Sequence, residues 1–154
     1  MLELRDVTKE EHDALFAALA AYFTGEDLGL DDEDRAYFLS AEYRGIIETL
    51  IAREVHPVRP VWLADGGAIV GFAMYCTYLL EDGKLFILEF NIDRGHRRKG
   101  FGARFYALIE RREKARGARF AELTADEASG FWERQGFTYY GRNEDGQRLY
   151  RKTF

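Results

Sequence analysis

The chain has 154 residues, 47% of them hydrophobic, 15% aromatic and 32% charged, with a formal net charge of −5. This is the size and composition of one globular domain, 1–154, with a single core, and it excludes disordered, collagenous and low-complexity chains. No apolar run approaches the roughly 20 residues that cross a bilayer, and the acidic start Met1-Leu2-Glu3-Leu4-Arg5-Asp6 is unlike a secretory signal, so a cytoplasmic protein with no membrane partner is expected. The single cysteine, Cys76, can form no internal disulfide or zinc-binding thiol pair and reads as a small core residue. His12, His56 and His96 lie far apart without ligand spacing, so no metal is expected.

In chain order, the alternation over Leu2 to Val7 predicts a short strand, and Thr8 followed by Glu10 and Glu11 predicts a helix start running to about Tyr22. Gly25 to Asp34 is an acidic loop. Apolar residues at helical spacing from Asp34 to Arg53 predict a second helix with a break near Gly45, ended by His56-Pro57 and Arg59-Pro60. Val61 to Ala64 and Ile69 to Leu80 read as strands joined by the hairpin signal Asp65-Gly66-Gly67, and Lys84 to Ile92 as a third strand. A helix follows from Gly102 to about Arg116, with Gly117 as its stop. Phe120 to Thr124 is a strand and Asp126 to Gln135 a short helix. Phe137 to Tyr140 with Arg148 to Lys152 form a closing hairpin. The class is mixed α+β with one strand-helix-strand crossover.

Charge is uneven along this order. Residues 1–83 carry 17 acidic and 6 basic side chains, the remainder 10 and 16. An acidic total argues against a nucleic-acid partner. The basic run Arg94, His96, Arg97, Arg98, Lys99 and Arg104 differs from an ordinary solvated face because glycines interrupt it where a strand passes into a helix. Unpaired amides and the dipole at a helix start bind anions, and Gly100 and Gly102 let backbone approach a phosphate closely. The segment fits neither a Walker A loop, because Phe101 and Gly102 replace Lys and Ser/Thr, nor the dinucleotide fingerprint, whose third glycine is missing.

The run Arg97-Arg98-Lys99-Gly100-Phe101-Gly102 resembles the Arg/Gln-x-x-Gly-x-Gly/Ala pattern of the GNAT superfamily of acyl-CoA-dependent N-acyltransferases. Ala128-Ser129-Gly130-Phe131-Trp132-Glu133-Arg134-Gln135-Gly136-Phe137 is similar to a second feature of that family. The resemblance implies a mainly antiparallel twisted sheet of about six to seven strands, helices on both faces, and a splay between the two central strands. It implies acetyl-CoA (coenzyme A) as cosubstrate. Backbone of Phe90, Asn91 and Ile92 would meet the pantetheine arm, and Arg97, Arg98, Lys99, Gly100, Phe101, Gly102 and Ala103 the pyrophosphate, with Trp132 packing against the arm or the core.

Acyl transfer to an amine needs a base, oxyanion stabilisation and a protonated leaving thiol. Glu89, a carboxylate in the apolar strand Leu85-Phe86-Ile87-Leu88-Glu89-Phe90, is the candidate base, directly or through a water. The amide of Asn91 or Ile92 is the candidate oxyanion donor. Two residues depart from the family pattern: Trp132 where a tyrosine acid often stands, and Ala125 where an asparagine does. The acid is then Tyr139, with Tyr140, Ser129, water or no acid at all as alternatives. Acidic residues Glu26, Asp27, Asp31, Asp32, Glu33 and Asp34 would favour a cationic acceptor, a small-molecule or peptide amine, or serve only for solubility. Tyr22, Phe23, Tyr37, Phe38 and Tyr43 line the acceptor pocket or belong to the core. Exposed sheet edges leave a homodimer as a candidate assembly, and a non-catalytic acyl-CoA sensor is the alternative function.

Overall fold

The computed structural model describes residues 1–25, 28–125 and 130–154. Seven strands form one sheet in the order β1 (Leu2–Asp6), β2 (Arg59–Asp65), β3 (Ala68–Thr77), β4 (Lys84–Ile92), β5 (Phe120–Ala125), β7 (Arg148–Thr153) and β6 (Thr138–Arg142). Every pairing is antiparallel except that of β4 with β5. Helices α1 (His12–Thr24), α2 (Asp32–Phe38) and α3 (Ala41–Ile51) precede β2. Helix α4 (Phe101–Arg116) is the crossover between β4 and β5, and α5 (Gly130–Arg134) leads into β6.

The two faces of the sheet hold separate cores. Leu15, Leu19 and Phe23 of α1 with Tyr43 and Ile47 of α3 pack on Trp62, Phe72 and Met74. On the other face Phe105, Tyr106 and Ile109 of α4 pack on Val61, Tyr75, Leu85 and Ile87. Both helix layers are amphipathic surfaces that the sheet alone can bury.

Local chemistry fixes the element ends. The amide of Thr8 donates to Glu11 Oε1 at 3.0 Å, closing a capping box before α1. Asp65 pairs with Ala68 across a two-residue turn in which Gly66 (φ 58°) and Gly67 (φ 89°) both need the left-handed region. After α4, the amides of Gly117 and Ala118 bond back to Lys114 and Glu113 carbonyls at 3.0 and 2.9 Å.

The region 34–53 is two helices, and the break is not at Gly45. Ser40 Oγ accepts the Tyr43 amide at 3.1 Å and caps α3, so the chain divides at a serine cap. Gly45 sits inside α3 at the modest cost, about 1 kcal/mol relative to Ala, of an exposed helical glycine. Strand β3 stops at Thr77 because the Tyr78 carbonyl accepts Glu81 and Gly83 amides in a tight turn. Helix α4 starts at Phe101, which makes Gly100 its cap and places Gly102 within its first turn. The predicted start of the short helix at Asp126, with Ala128 and Ser129, lies outside the described residues, as do Glu26 and Asp27. Among the described residues no helix is long and apolar enough to cross a membrane.

Candidate active site

β4 is the strand on which the site is built. Its antiparallel partner β3 follows it from Leu85 to Ile92, but its parallel partner β5 follows it only through Lys84, Leu85 and Phe86. Beyond Phe86 the two strands part, and one edge of β4 is left open. The Asp93 amide bonds to Val70 on β3 at 2.8 Å. By the alternation of an antiparallel ladder, the Asn91 amide then also points at β3, while the amides of Phe90 and Ile92 face the open edge. Of the two candidate oxyanion donors, Ile92 is therefore the one directed into the opening, and Asn91 is not.

A β-bulge aims Glu89. Met74 pairs with Glu89 and the next residue, Tyr75, with Ile87, so Leu88 is the extra residue. Ile87 and Phe90 pack with the α4 core and Leu88 with the α1–α3 core. Strict alternation would return Glu89 to the α4 side. Instead it lies beside Tyr22 of α1, whose hydroxyl acts on its carboxylate, and near Tyr43 of α3. Burial among these rings pushes the Glu89 carboxyl up to about 7, against the opposing pull of the Tyr22 hydroxyl. The same burial, with the Glu89 charge nearby, raises the Tyr43 phenol.

The loop after β4 is tied back to it. Arg97 Nε donates to the Ile92 carbonyl at 2.7 Å and its Nη2 to Asn91 Oδ1 at 3.0 Å. Arg98 (φ 63°) and Gly100 (φ 76°) then take left-handed conformations that turn the chain into α4. Gly100 brings no side-chain cap, and the first intrahelical bond joins the Arg104 amide to the Gly100 carbonyl. The amides of Phe101, Gly102 and Ala103 therefore keep the free donors of a helix start. Gly102 serves packing: a Cβ there would lie 2.7 Å from Cε1 of the Phe131 ring. At Gly71, opposite Ile92, a Cβ would come within 2.1 Å of the Asn91 carbonyl oxygen, so this end of the β3–β4 ladder closes only over a glycine.

These parts surround a cleft of about 690 Å³. Its floor is Phe90, Asn91 and Ile92. One end is formed by Arg97, Arg98, Gly100, Phe101, Gly102 and Ala103, and its walls include Trp132, Phe131, Tyr22 and Leu28. An open strand edge leading to a helix N-terminus with free amides suits a long ligand with an extended, hydrogen-bonding arm and an anionic end, as a coenzyme A thioester has. Lys99 is exposed and does not line the cleft. The Trp132 ring lies against Phe90, Tyr106, Phe131 and Phe137 at 4.8–5.5 Å between centroids, a wedge where the strands part.

The structure does not bring Tyr139 to this place. It lies on the edge strand β6, separated from β4 by β7 and β5, roughly 14 Å away at ordinary strand spacing. It is 51% exposed, and the Arg148 guanidinium lies 5.0 Å from its ring centre. Tyr140 is on the same strand, with Arg151 over its ring at 3.8 Å. The acidic run after α1 also has local work: Asp31 Oδ1 accepts the Asp34 amide at 2.8 Å and caps α2, and Asp32 pairs with Arg35 at 3.2 Å. Of the aromatic residues named for pocket or core, Tyr22 lines the cleft, whereas Phe23 and Tyr43 are buried in the α1–α3 core.

A family model described as the acetyltransferase (GNAT) family matches residues 12–137. The chain belongs to that family. The sheet, its single parallel pair and the helices on both faces are the GNAT fold. The paiA N-acetyltransferase from Thermoplasma acidophilum, solved in complex with coenzyme A, superposes with a TM-score of 0.80 at 14% identity, covering 100% of this chain and 99% of that one. A GCN5-related N-acetyltransferase from Rhodopseudomonas palustris gives 0.72 at 20% identity over 99% and 95%. The aminoglycoside 6'-acetyltransferase type Ii gives 0.71 at 17% identity over 99% and 96%. No curated protein sequence matches. As a GNAT member the chain is an acyl-CoA-dependent N-acetyltransferase that uses acetyl-CoA.

Proposed function

We propose that the acyl acceptor is a primary amine, carried by a cationic small molecule or a peptide, and that Glu89 is the general base for direct attack on the thioester. The observation that carries this reading is the bulge. It places one carboxylate, with an affinity for protons near neutrality, against a residue of the cleft wall at the open end of β4.

In this scheme the amine nitrogen attacks the thioester carbonyl carbon. As that bond forms, Glu89 accepts the nitrogen's proton, a transfer that works best when the acceptor's pKa lies near the working pH. The Ile92 amide donates to the oxygen on which charge develops. The carbon–sulfur bond then breaks. Arg97 holds the loop to the strand end, and the free amides of Phe101, Gly102 and Ala103 with Arg98 meet the pyrophosphate.

Thiol release from acetyl-CoA against a panel of polyamines, aminoglycosides and lysine-containing peptides tests the proposal. Turnover with at least one amine that collapses in Glu89→Gln is the expected result. Tight coenzyme A binding with no turnover for any amine would favour the sensor reading instead.

A further inference from the structure

Release of the thiol requires a proton, and the position where GNAT enzymes often carry a tyrosine is held by Trp132, whose indole is packed among four rings and offers no acidic hydroxyl. Among the described residues lining the cleft, Tyr22 alone carries a hydroxyl. It comes from the last turns of α1, a different element from the helix that holds Trp132. Its ring is fixed edge-on to buried Phe72 with centroids 5.8 Å apart and lies 5.5 Å from buried Phe23. Its hydroxyl lies close enough to the Glu89 carboxylate to hold that group's proton affinity down. One side chain thus belongs to the wall of the donor cleft and to the surroundings of the base.

We propose that Tyr22 is the general acid of this enzyme and that it closes a proton relay with Glu89. The inference rests on the reading of Glu89 as base and of the cleft as the thioester site. As the carbon–sulfur bond breaks, its electron pair goes to sulfur. The Tyr22 O–H gives its proton to that sulfur, and the phenolic oxygen takes back the proton that Glu89 accepted from the amine. One proton leaves nitrogen and one reaches sulfur, and both side chains end the cycle as they began. A free phenol, pKa about 10, would give its proton to a thiolate of pKa about 8.5 unfavourably by roughly 2 kcal/mol. With Glu89 near 7 as the ultimate source, the net transfer to sulfur is downhill.

The test needs no acceptor. The thiol of coenzyme A bound to the protein is titrated by its ultraviolet thiolate absorbance, in wild type and in Tyr22→Phe, with binding of each followed by calorimetry. A hydroxyl donating to sulfur stabilises the thiolate, so the bound thiol is expected to be about tenfold more acidic than free coenzyme A in wild type, and to lose most of that gain in Tyr22→Phe. An equal midpoint in the two proteins, with coenzyme A still bound, overturns the role of Tyr22 and leaves the acyltransferase reading standing. A wild-type midpoint at or above that of the free coenzyme overturns it without the variant. Absence of coenzyme A binding to wild type would remove the cleft assignment itself.

Discussion

The two ends of β4 have the same backbone and opposite fates. At Lys84–Phe86 the strand is paired on both edges, to β3 and to β5, and its side chains serve the sheet: Lys84 reaches Glu122 of β5 at 3.9 Å. At Glu89–Ile92 it is paired on one edge only, and a bulge has rotated a carboxylate to the α1–α3 side. Pairing on both edges satisfies a strand completely and leaves nothing to offer a ligand. A ligand can be met where one set of amides loses its strand partner, and there Trp132 packs on Phe90 of the open end.

The largest expected effect comes from the open end. Glu89→Gln should lower kcat by about 10³ with little change in coenzyme A affinity, since removing a general base typically costs 10²–10⁴. In wild type, activity should rise with pH through about 7, where Glu89 ionises, and Tyr22→Phe should move that limb upward because it removes the hydroxyl that holds the carboxyl down. Steady-state rates against pH check both.

Next is the cleft end. Gly102→Val meets the Phe131 ring, and displacing that ring should weaken coenzyme A binding at least about tenfold in calorimetry, overpacking of such a contact costing about 1–3 kcal/mol. Arg97→Ala, which frees the loop from Ile92 and Asn91, should weaken it about fivefold, the value of roughly 1 kcal/mol for a lost hydrogen-bonded tie.

Thermal unfolding gives a smaller signal. The folded state holds the Glu89 proton up to about 7, above the usual value of 4.5, so ionisation opposes folding as pH rises between the two. The melting temperature of Glu89→Gln relative to wild type should climb over that window and then level off. Smallest of all is Lys84→Ala at the paired end, a part-exposed ion pair worth less than about 1 kcal/mol. It should leave coenzyme A affinity unchanged, and a loss there comparable to that of Arg97→Ala would erase the distinction between the two ends.

Much of this was legible in the residues. β4 spans Lys84 to Ile92 as expected, the Gly66-Gly67 turn follows from φ demands that glycine alone meets cheaply, and Arg97, Arg98 and Gly100 to Ala103 face one cleft because a short loop joins a strand to a helix. What escaped was non-local. Nothing in Leu88-Glu89 signals a bulge, which arises from the partner strand's register. Residue type points to Tyr139, whereas strand order, set by distant pairings, carries it to the sheet edge. Gly71, an isolated glycine within a strand pattern, was a usable signal of close backbone approach. Gly100→Val would both block phosphate approach and strain the backbone, because Gly100 has φ at 76°.

The parallel seam between β4 and β5 is three residue pairs wide. Strands β1–β4 on one side and β5–β7 on the other are each closed by antiparallel ladders, and they are joined by that short stitch, by α4 and by a shared core in which Leu85 and Ile87 cluster with Ala121, Leu123 and Tyr150. Native-state hydrogen exchange should find the amides of Leu85 and Ala121 less protected than those in the middle of β3. An extended ligand bonding along the vacant edge would lengthen the stitch, and slower exchange on both sides of it would report occupancy before any chemistry takes place.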